Sequence, residues 1–174
     1  MELLTNLLEY SRIETGKMTL DAAPFEVFPL FDQTLGMFVP SAERKGVSLV
    51  SDNRAEKGMY VKADAARIRQ VLINLLSNAV KFTSSGSIRF GYRLTDDGIY
   101  VYVTDTGMGI SKESQASIFN RFVKLNSFKQ GTGLGLSICK TIIEKLKGKI
   151  GVESEEGKGS TFWFTIPCQP MKVK

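Results

Sequence analysis

A chain of 174 residues with 43% hydrophobic and 24% charged residues suits one globular domain with room for a short extra element. The net charge of +5 admits an anionic ligand, but the 23 Lys and Arg are spread along the chain among 18 acids, which argues against nucleic acid. There is no histidine, so Ser–His and Cys–His catalysis, imidazole bases and His-based metal sites are excluded for this chain acting alone.

No apolar run approaches the roughly 18 residues that span a bilayer, and no signal-peptide pattern opens the chain. Cys139 and Cys168 stand far apart in no metal or redox spacing, as in a reduced, intracellular protein.

In chain order, residues 1–15 read as a short helix carrying Leu3, Leu4, Leu7 and Leu8 on one side, ended by Gly16 in a left-handed cap. So short a stripe looks like the tail of a longer helix that packs against a partner; a free-standing N-terminal helix folded on the domain is the alternative. Lys17–Val27 reads as a strand, and Pro29–Lys45 as a helix interrupted at Pro40 and stopped by Gly46. Strand-like pieces follow at Val47–Ser51 and Met59–Ala63.

The stretch 64–82 organises the rest. Ile68, Val71, Leu72, Leu75, Leu76 and Ala79 recur at three- and four-residue steps, so it is an amphipathic helix with Asp64 as its N-cap. Asn74, Asn78 and Lys81 share another face, flanked by Arg67 and Gln70. A merely solvated face is the alternative reading, and two details count against it. Asparagine costs a helix interior several tenths of a kcal/mol relative to alanine, and no Asp or Glu occurs between Asp64 and Asp96. Amide oxygens suit a hard cation and a lysine tip suits a phosphate, so this face is prepared for a metal–phosphate group.

Beyond a turn at 83–87, Ile88–Leu94 and Ile99–Asp105 form a hairpin over Thr95-Asp-Asp-Gly98. Asp105-Thr-Gly-Met-Gly109 then places an acid at a strand end before two glycines at alternate positions. That spacing lets backbone approach a flat ligand, and the carboxylate can accept from an exocyclic amine; an Asp-capped turn explains it about as well. Ser111 caps a short helix through Asn120, and a polar loop over 123–130 has the composition either of a segment that closes over a ligand or of an ordinary surface loop. Gly131-Thr-Gly-Leu-Gly135 leads into a helix over Thr132–Lys147, closed by Gly148. Its alternate glycines bare backbone N–H groups at a positive helix end, in neither the Walker A nor the Rossmann spacing. Lys149–Ser154 and Ser160–Ile166 make a last hairpin, and residues after Pro167 read as a loose tail. Helices and strands in this order predict an α/β (α+β) two-layer sandwich: one mixed sheet covered by helices on one face.

Taken together, Asn74-Leu-Leu-Ser-Asn78-Ala-Val-Lys81-Phe82, Asp105-Thr-Gly-Met-Gly109, Ile118-Phe-Asn-Arg-Phe122 and Gly131-Thr-Gly-Leu-Gly-Leu136 resemble, in order, the asparagine, first glycine, phenylalanine and second glycine boxes of bacterial sensor histidine kinases. Leu7 to Met18 looks like the end of the second helix of that family's dimerisation and phosphoacceptor domain. The resemblance implies a largely antiparallel Bergerat ATP-binding fold over residues 17–167, after a helix remnant at 1–16 and before a tail at 168–174.

It further implies ATP and Mg²⁺ as cofactors. Asn78 would bind the metal with Asn74 beside it, and Lys81 would meet a phosphate. Asp105 would hold the adenine amine, with Phe82, Gly107, Gly109 and Ile110 around the base. Lys124, or Arg121 nearby, would point toward the terminal phosphate. Gly131, Thr132, Gly133, Leu134 and Gly135 would face the phosphates, although Gln130 replaces the glycine often seen in the lid.

The γ-phosphoryl group would pass to a histidine on a phosphoacceptor domain of the same or a partner protomer, and onward to a response-regulator receiver domain. The implied parent is a homodimer anchored in the membrane with this part in the cytoplasm. Two other readings compete. A non-catalytic nucleotide-binding module is one. The other is an ATPase of the same superfamily, which would want a carboxylate one turn before the metal-binding asparagine, where Asn74 stands and offers no base.

Overall fold

The computed structural model describes residues 2–53, 57–124 and 133–173. Its elements are α1 (Glu2–Glu14), β1 (Ala23–Glu26), α2 (Val27–Gly36), α3 (Val39–Arg44), β2 (Ser48–Ser51), β3 (Met59–Ala63), α4 (Ala65–Phe82), β4 (Ser87–Thr95), β5 (Gly98–Asp105), α5 (Lys112–Gln115), α6 (Gly135–Lys145), β6 (Lys149–Glu155), β7 (Gly159–Pro167) and β8 (Met171–Lys172).

The central helix forms as its pattern requires. Asp64 Oδ1 accepts from the backbone N–H of Arg67 at 3.0 Å, satisfying one of the free donors of the first turn. Ile68, Val71, Leu72, Leu75, Leu76, Ala79 and Val80 are all buried on the core side. They meet the inner face of a five-stranded sheet in the order β2-β4-β5-β7-β6. Alternation along β5 and β7 sends Ile99, Val101, Val103, Phe162, Phe164 and Ile166 into that core. Strand β2 runs parallel to β4; the other pairings are antiparallel, with Asp105 opposite Ser160 and Val103 opposite Phe162.

The mixed, largely antiparallel architecture stands, but as two sheets rather than one. β1, β3 and β8 form a separate three-stranded sheet. Residues 171–172, expected in a loose tail, pair with β3, and the Val173 N–H donates to the Gly58 carbonyl at 2.8 Å.

The strand expected over Lys17–Val27 shrinks to Ala23–Glu26. Before it, the Asp21 N–H bonds to Asp64 Oδ2 at 2.8 Å instead of joining a ladder. The helix expected over Pro29–Lys45 begins two residues earlier and divides in two. Pro29 sits within the first turn, where a missing N–H costs nothing, and Pro40 lies at the start of α3, where it can open a helix but not continue one. The helix after Ser111 is a single turn, and the last long helix starts at Gly135.

Helix α1 lies against the domain through Tyr10 and Ile13, while Leu4, Leu7 and Leu8 remain exposed. Glu9 Oε2 pairs with Arg67 Nη1 at 2.9 Å, tying α1 to α4. Among the described residues no helix is long and apolar enough to cross a membrane.

Candidate functional site

The C-terminal half of α4 and the end of β5 frame a cleft lined by Asn78, Ala79, Phe82, Asp105, Met108, Gly109, Ile110, Ser160 and Phe162. Apolar walls with one carboxylate suit a planar ring bearing an amine.

Asp105 is only 8% exposed. Its Oδ1 accepts from the Gly107 N–H at 2.9 Å. Burial pushes its pKa up, against the opposing pull of hydrogen bonds from the Gly107 and Ser160 backbone.

Glycine is required in the turn that follows. A Cβ at Gly107 would collide with the Phe82 carbonyl oxygen and stand 2.9 Å from Asp105 Oδ1. Gly109 has φ +69°, and a Cβ there would overlap the Glu155 carbonyl oxygen. The turn is fastened to the β6–β7 hairpin. Gly157 N–H donates to the Met108 carbonyl at 2.7 Å, and Ile110 N–H donates to Ser154 Oγ at 2.8 Å.

The second glycine stretch arrives beside the same helix. Gly135 opens α6 so near α4 that a Cβ on it would stand 3.0 Å from Asn74 Oδ1. Gly133 has φ +74°, and its carbonyl accepts from the Phe122 N–H at 2.8 Å. Leu134 is fully buried, and no side-chain cap hydrogen bond forms at the start of α6, whose dipole is positive at that end. Gly131 and Thr132, with Gln130 and the loop from 125, lie outside the described residues.

The expected polar residues separate into groups. Asn78 lines the cleft, and among the described residues no hydrogen bond engages its amide. Asn74 instead turns to α6 and to the groove beside α1. Its Nδ2 donates to the Gln70 carbonyl at 3.3 Å, and burial pushes the thiol of nearby Cys139 up to about 12 against the lowering influence of Asn74. Lys81 Nζ sits 5.5 Å from the centre of the Phe82 ring, at the cleft edge. Lys124 is exposed. Arg121 is committed to α1: it pairs with Glu14 at 2.6 Å, donates to Tyr10 Oη at 3.0 Å and stacks on that ring.

Among the described residues no three acidic, His or Cys side chains cluster as metal ligands. A metal here would take amide oxygen, water and ligand oxygens, which is how Mg²⁺ is ordinarily held, and the uncommitted Asn78 amide fits that role.

Ala79, Met108, Ser160 and Phe162 escaped the reading of the sequence, as did Ser154 and Gln115, which brace the turn. The signal for two of them was present: a hairpin partner to β5 whose alternation starts opposite Asp105 puts Ser160 and Phe162 on the ligand side.

Residues 63–170 match the family model described as histidine kinase-, DNA gyrase B-, and HSP90-like ATPase. The chain is 38% identical over 175 residues to the sensor protein GacS of Pseudomonas syringae pv. syringae, covering 95% of this chain and 19% of that protein. It is 39% identical over 177 residues to the circadian input-output histidine kinase CikA of Synechococcus elongatus, covering 98% of this chain and 24% of that one. It thus spans about a fifth to a quarter of the length of these relatives.

Full-length ShkA, solved in complex with AMPPNP, superposes with a TM-score of 0.86 at 31% identity, over 98% of this chain and 36% of that one. The catalytic domain of histidine kinase ThkA gives 0.73 at 35% identity, over 84% and 95%. With the asparagine helix and the acid–glycine turn at one cleft and the second glycine stretch beside the same helix, the chain belongs to the histidine kinase-, DNA gyrase B- and HSP90-like ATPase family, as the ATP-binding catalytic domain of a histidine kinase.

Proposed function

We propose that this domain binds Mg-ATP in the cleft between α4 and the end of β5, and donates the γ-phosphoryl group to a histidine carried on another domain. The observation that carries the reading is the convergence of Asn78, Asp105 and Gly109 on one mostly apolar cleft, with Gly107 packed against Phe82 and Asp105 of its wall.

Asp105 accepts from the adenine amine, the base lies against Gly107, Gly109, Ile110 and Phe82, and Ala79 and Phe162 exclude water from it. Lys81 and the positive end of α6 at Gly133, Leu134 and Gly135 hold the phosphates, with Gly131 and Thr132 before them in the sequence assigned to the same role. Asn78 is the metal-facing residue, with Asn74 one turn away supporting it through α6. Mg²⁺, when bound, neutralises the charge that collects on the phosphate oxygens. Lys124, exposed among the described residues, is a cation that reaches toward the terminal phosphate; Arg121 reaches it only after leaving Glu14.

With no histidine in the chain, the nucleophile comes from elsewhere. The exposed Leu4, Leu7 and Leu8 of α1 suit packing against a helix of a dimeric phosphoacceptor domain; a receiver domain downstream and a membrane-anchored, cytoplasm-facing parent complete the same proposal.

The test is titration with an ATP analogue with and without Mg²⁺, followed by labelled ATP and a separately made phosphoacceptor domain. The parent domain is expected to label the added histidine, and Asn78→Ala to lose most of the Mg²⁺ dependence of binding. ATP binding without any label on histidine would replace the kinase reading with a non-catalytic nucleotide-binding module.

A further inference from the structure

Ser154 and Gln115 do not line the cleft, yet their polar atoms converge on the backbone of one residue of its wall. Ile110 is 7% exposed and lines the cleft. Its N–H donates to Ser154 Oγ at 2.8 Å, and its carbonyl accepts from Gln115 Nε2 at 2.8 Å. The same Nε2 donates its other proton to the Ser154 carbonyl at 2.9 Å. Ser154 Oγ in turn donates to the Gly159 carbonyl at 2.8 Å and lies 2.8 Å from Ser160 Oγ.

A hydroxyl has one proton and two lone pairs. Ser154 spends its proton on Gly159 and one lone pair on Ile110, so Ser160 donates to the remaining pair. The network is thus saturated at Ser154, and Ile110 is gripped on both its backbone polar groups.

We infer that Ser154 and Gln115 are positioning residues for the purine, fixing the Ile110 wall of the cleft from a hairpin 44 residues away and from the following helical turn. The inference rests on the proposed ATP site. Its physical basis is that a flat ring gains affinity from walls held at one spacing in the free protein, because the ordering is done before binding. Lose one tether and the turn after Asp105 samples wider separations. Asp105 itself keeps its Gly107 bond.

The test measures two quantities on Ser154→Ala, Gln115→Met and Ser154→Thr: ATP affinity and amide hydrogen exchange. In Ser154→Ala, exchange is expected to quicken at Ile110 while β5 and β7 keep parent protection, and ATP binding is expected to weaken roughly fivefold, the size of one hydrogen bond. Gln115→Met is expected to behave likewise. The double variant should be less than additive, since both groups hold the backbone of the same residue. Ser154→Thr, which keeps the hydroxyl, restores both quantities.

The inference is overturned if Ile110 exchange rises with parent ATP affinity, or if affinity falls only together with protection across β6 and β7, as a merely structural role would produce. Asp105→Asn is run beside them. If it leaves ATP binding unchanged, the nucleotide site itself is misplaced, whereas an effect there with none at Ser154 refutes the positioning role alone.

Discussion

Replacing Asp105 by Asn separates a ligand-binding carboxylate from a structural one, because the two roles predict opposite signs. The side chain keeps its shape and its acceptor for the Gly107 N–H at 2.9 Å. What changes is the second oxygen, which becomes an NH₂ donor aimed where an adenine amine must also donate. A hydrogen bond to a charged group contributes about 1.5–3 kcal/mol, so ATP affinity should fall roughly 10- to 150-fold.

Stability of the nucleotide-free protein should move the other way. Burial raises the Asp105 pKa above the unfolded value, so the native state binds more protons than the unfolded state in that range, and stability falls as pH rises through it. At pH 7 the ionised carboxylate is a net cost that Asn removes. The advantage of Asn should close as pH drops through the raised pKa to the ordinary carboxylate range. ATP affinity of the parent should decline over the same acid window, and the Asn variant should show no such step. Calorimetric titration with ATP and urea unfolding from pH 7 downward measure both. A variant that loses stability and affinity together at pH 7, or keeps parent affinity, refutes the reasoning.

Gly109→Ala forces a side chain into a left-handed backbone at about 1–2 kcal/mol and drives its Cβ into the Glu155 carbonyl; the urea midpoint should fall and ATP binding weaken, and a parent-like midpoint would contradict the geometry. Leu72→Ala empties the centre of α4, where the side chain is 0% exposed, and should cost about 3 kcal/mol in chemical unfolding. Arg67→Ala breaks the largely buried pair with Glu9 and its bond to Gln70 at 2.9 Å; about 1–2 kcal/mol of α1 docking should be lost, between the values for exposed and buried pairs. Limited proteolysis between residues 14 and 22 should then quicken while the unfolding midpoint of the rest of the domain stays within a degree or two.

Much of this protein was settled by local pattern. The 3.6-residue recurrence from Ile68 to Val80 leaves one face for a core, and the alternation from Ile99 to Val103 leaves one face of a sheet, whatever lies opposite. Asp105 and its alternate glycines marked the cleft because close backbone approach needs residues without a Cβ, and that requirement is written into the chain at the site itself.

Only the tertiary structure decided which residues of one helical face stay available. Asn74 and Asn78 are indistinguishable by spacing, yet α6 packs against the first, at Gly135 and Cys139, and leaves the second to the cleft. Arg121 likewise lay in a recognisable box, but Glu14 and Tyr10 of α1 claim it. The division into two sheets, the pairing of Met171 with Tyr60 and the grip of Ser154 on Ile110 all join segments tens of residues apart. Such contacts depend on where loops deliver the chain and on which backbone groups remain unpaired once the core has closed, and neither quantity has a period that a single sequence displays.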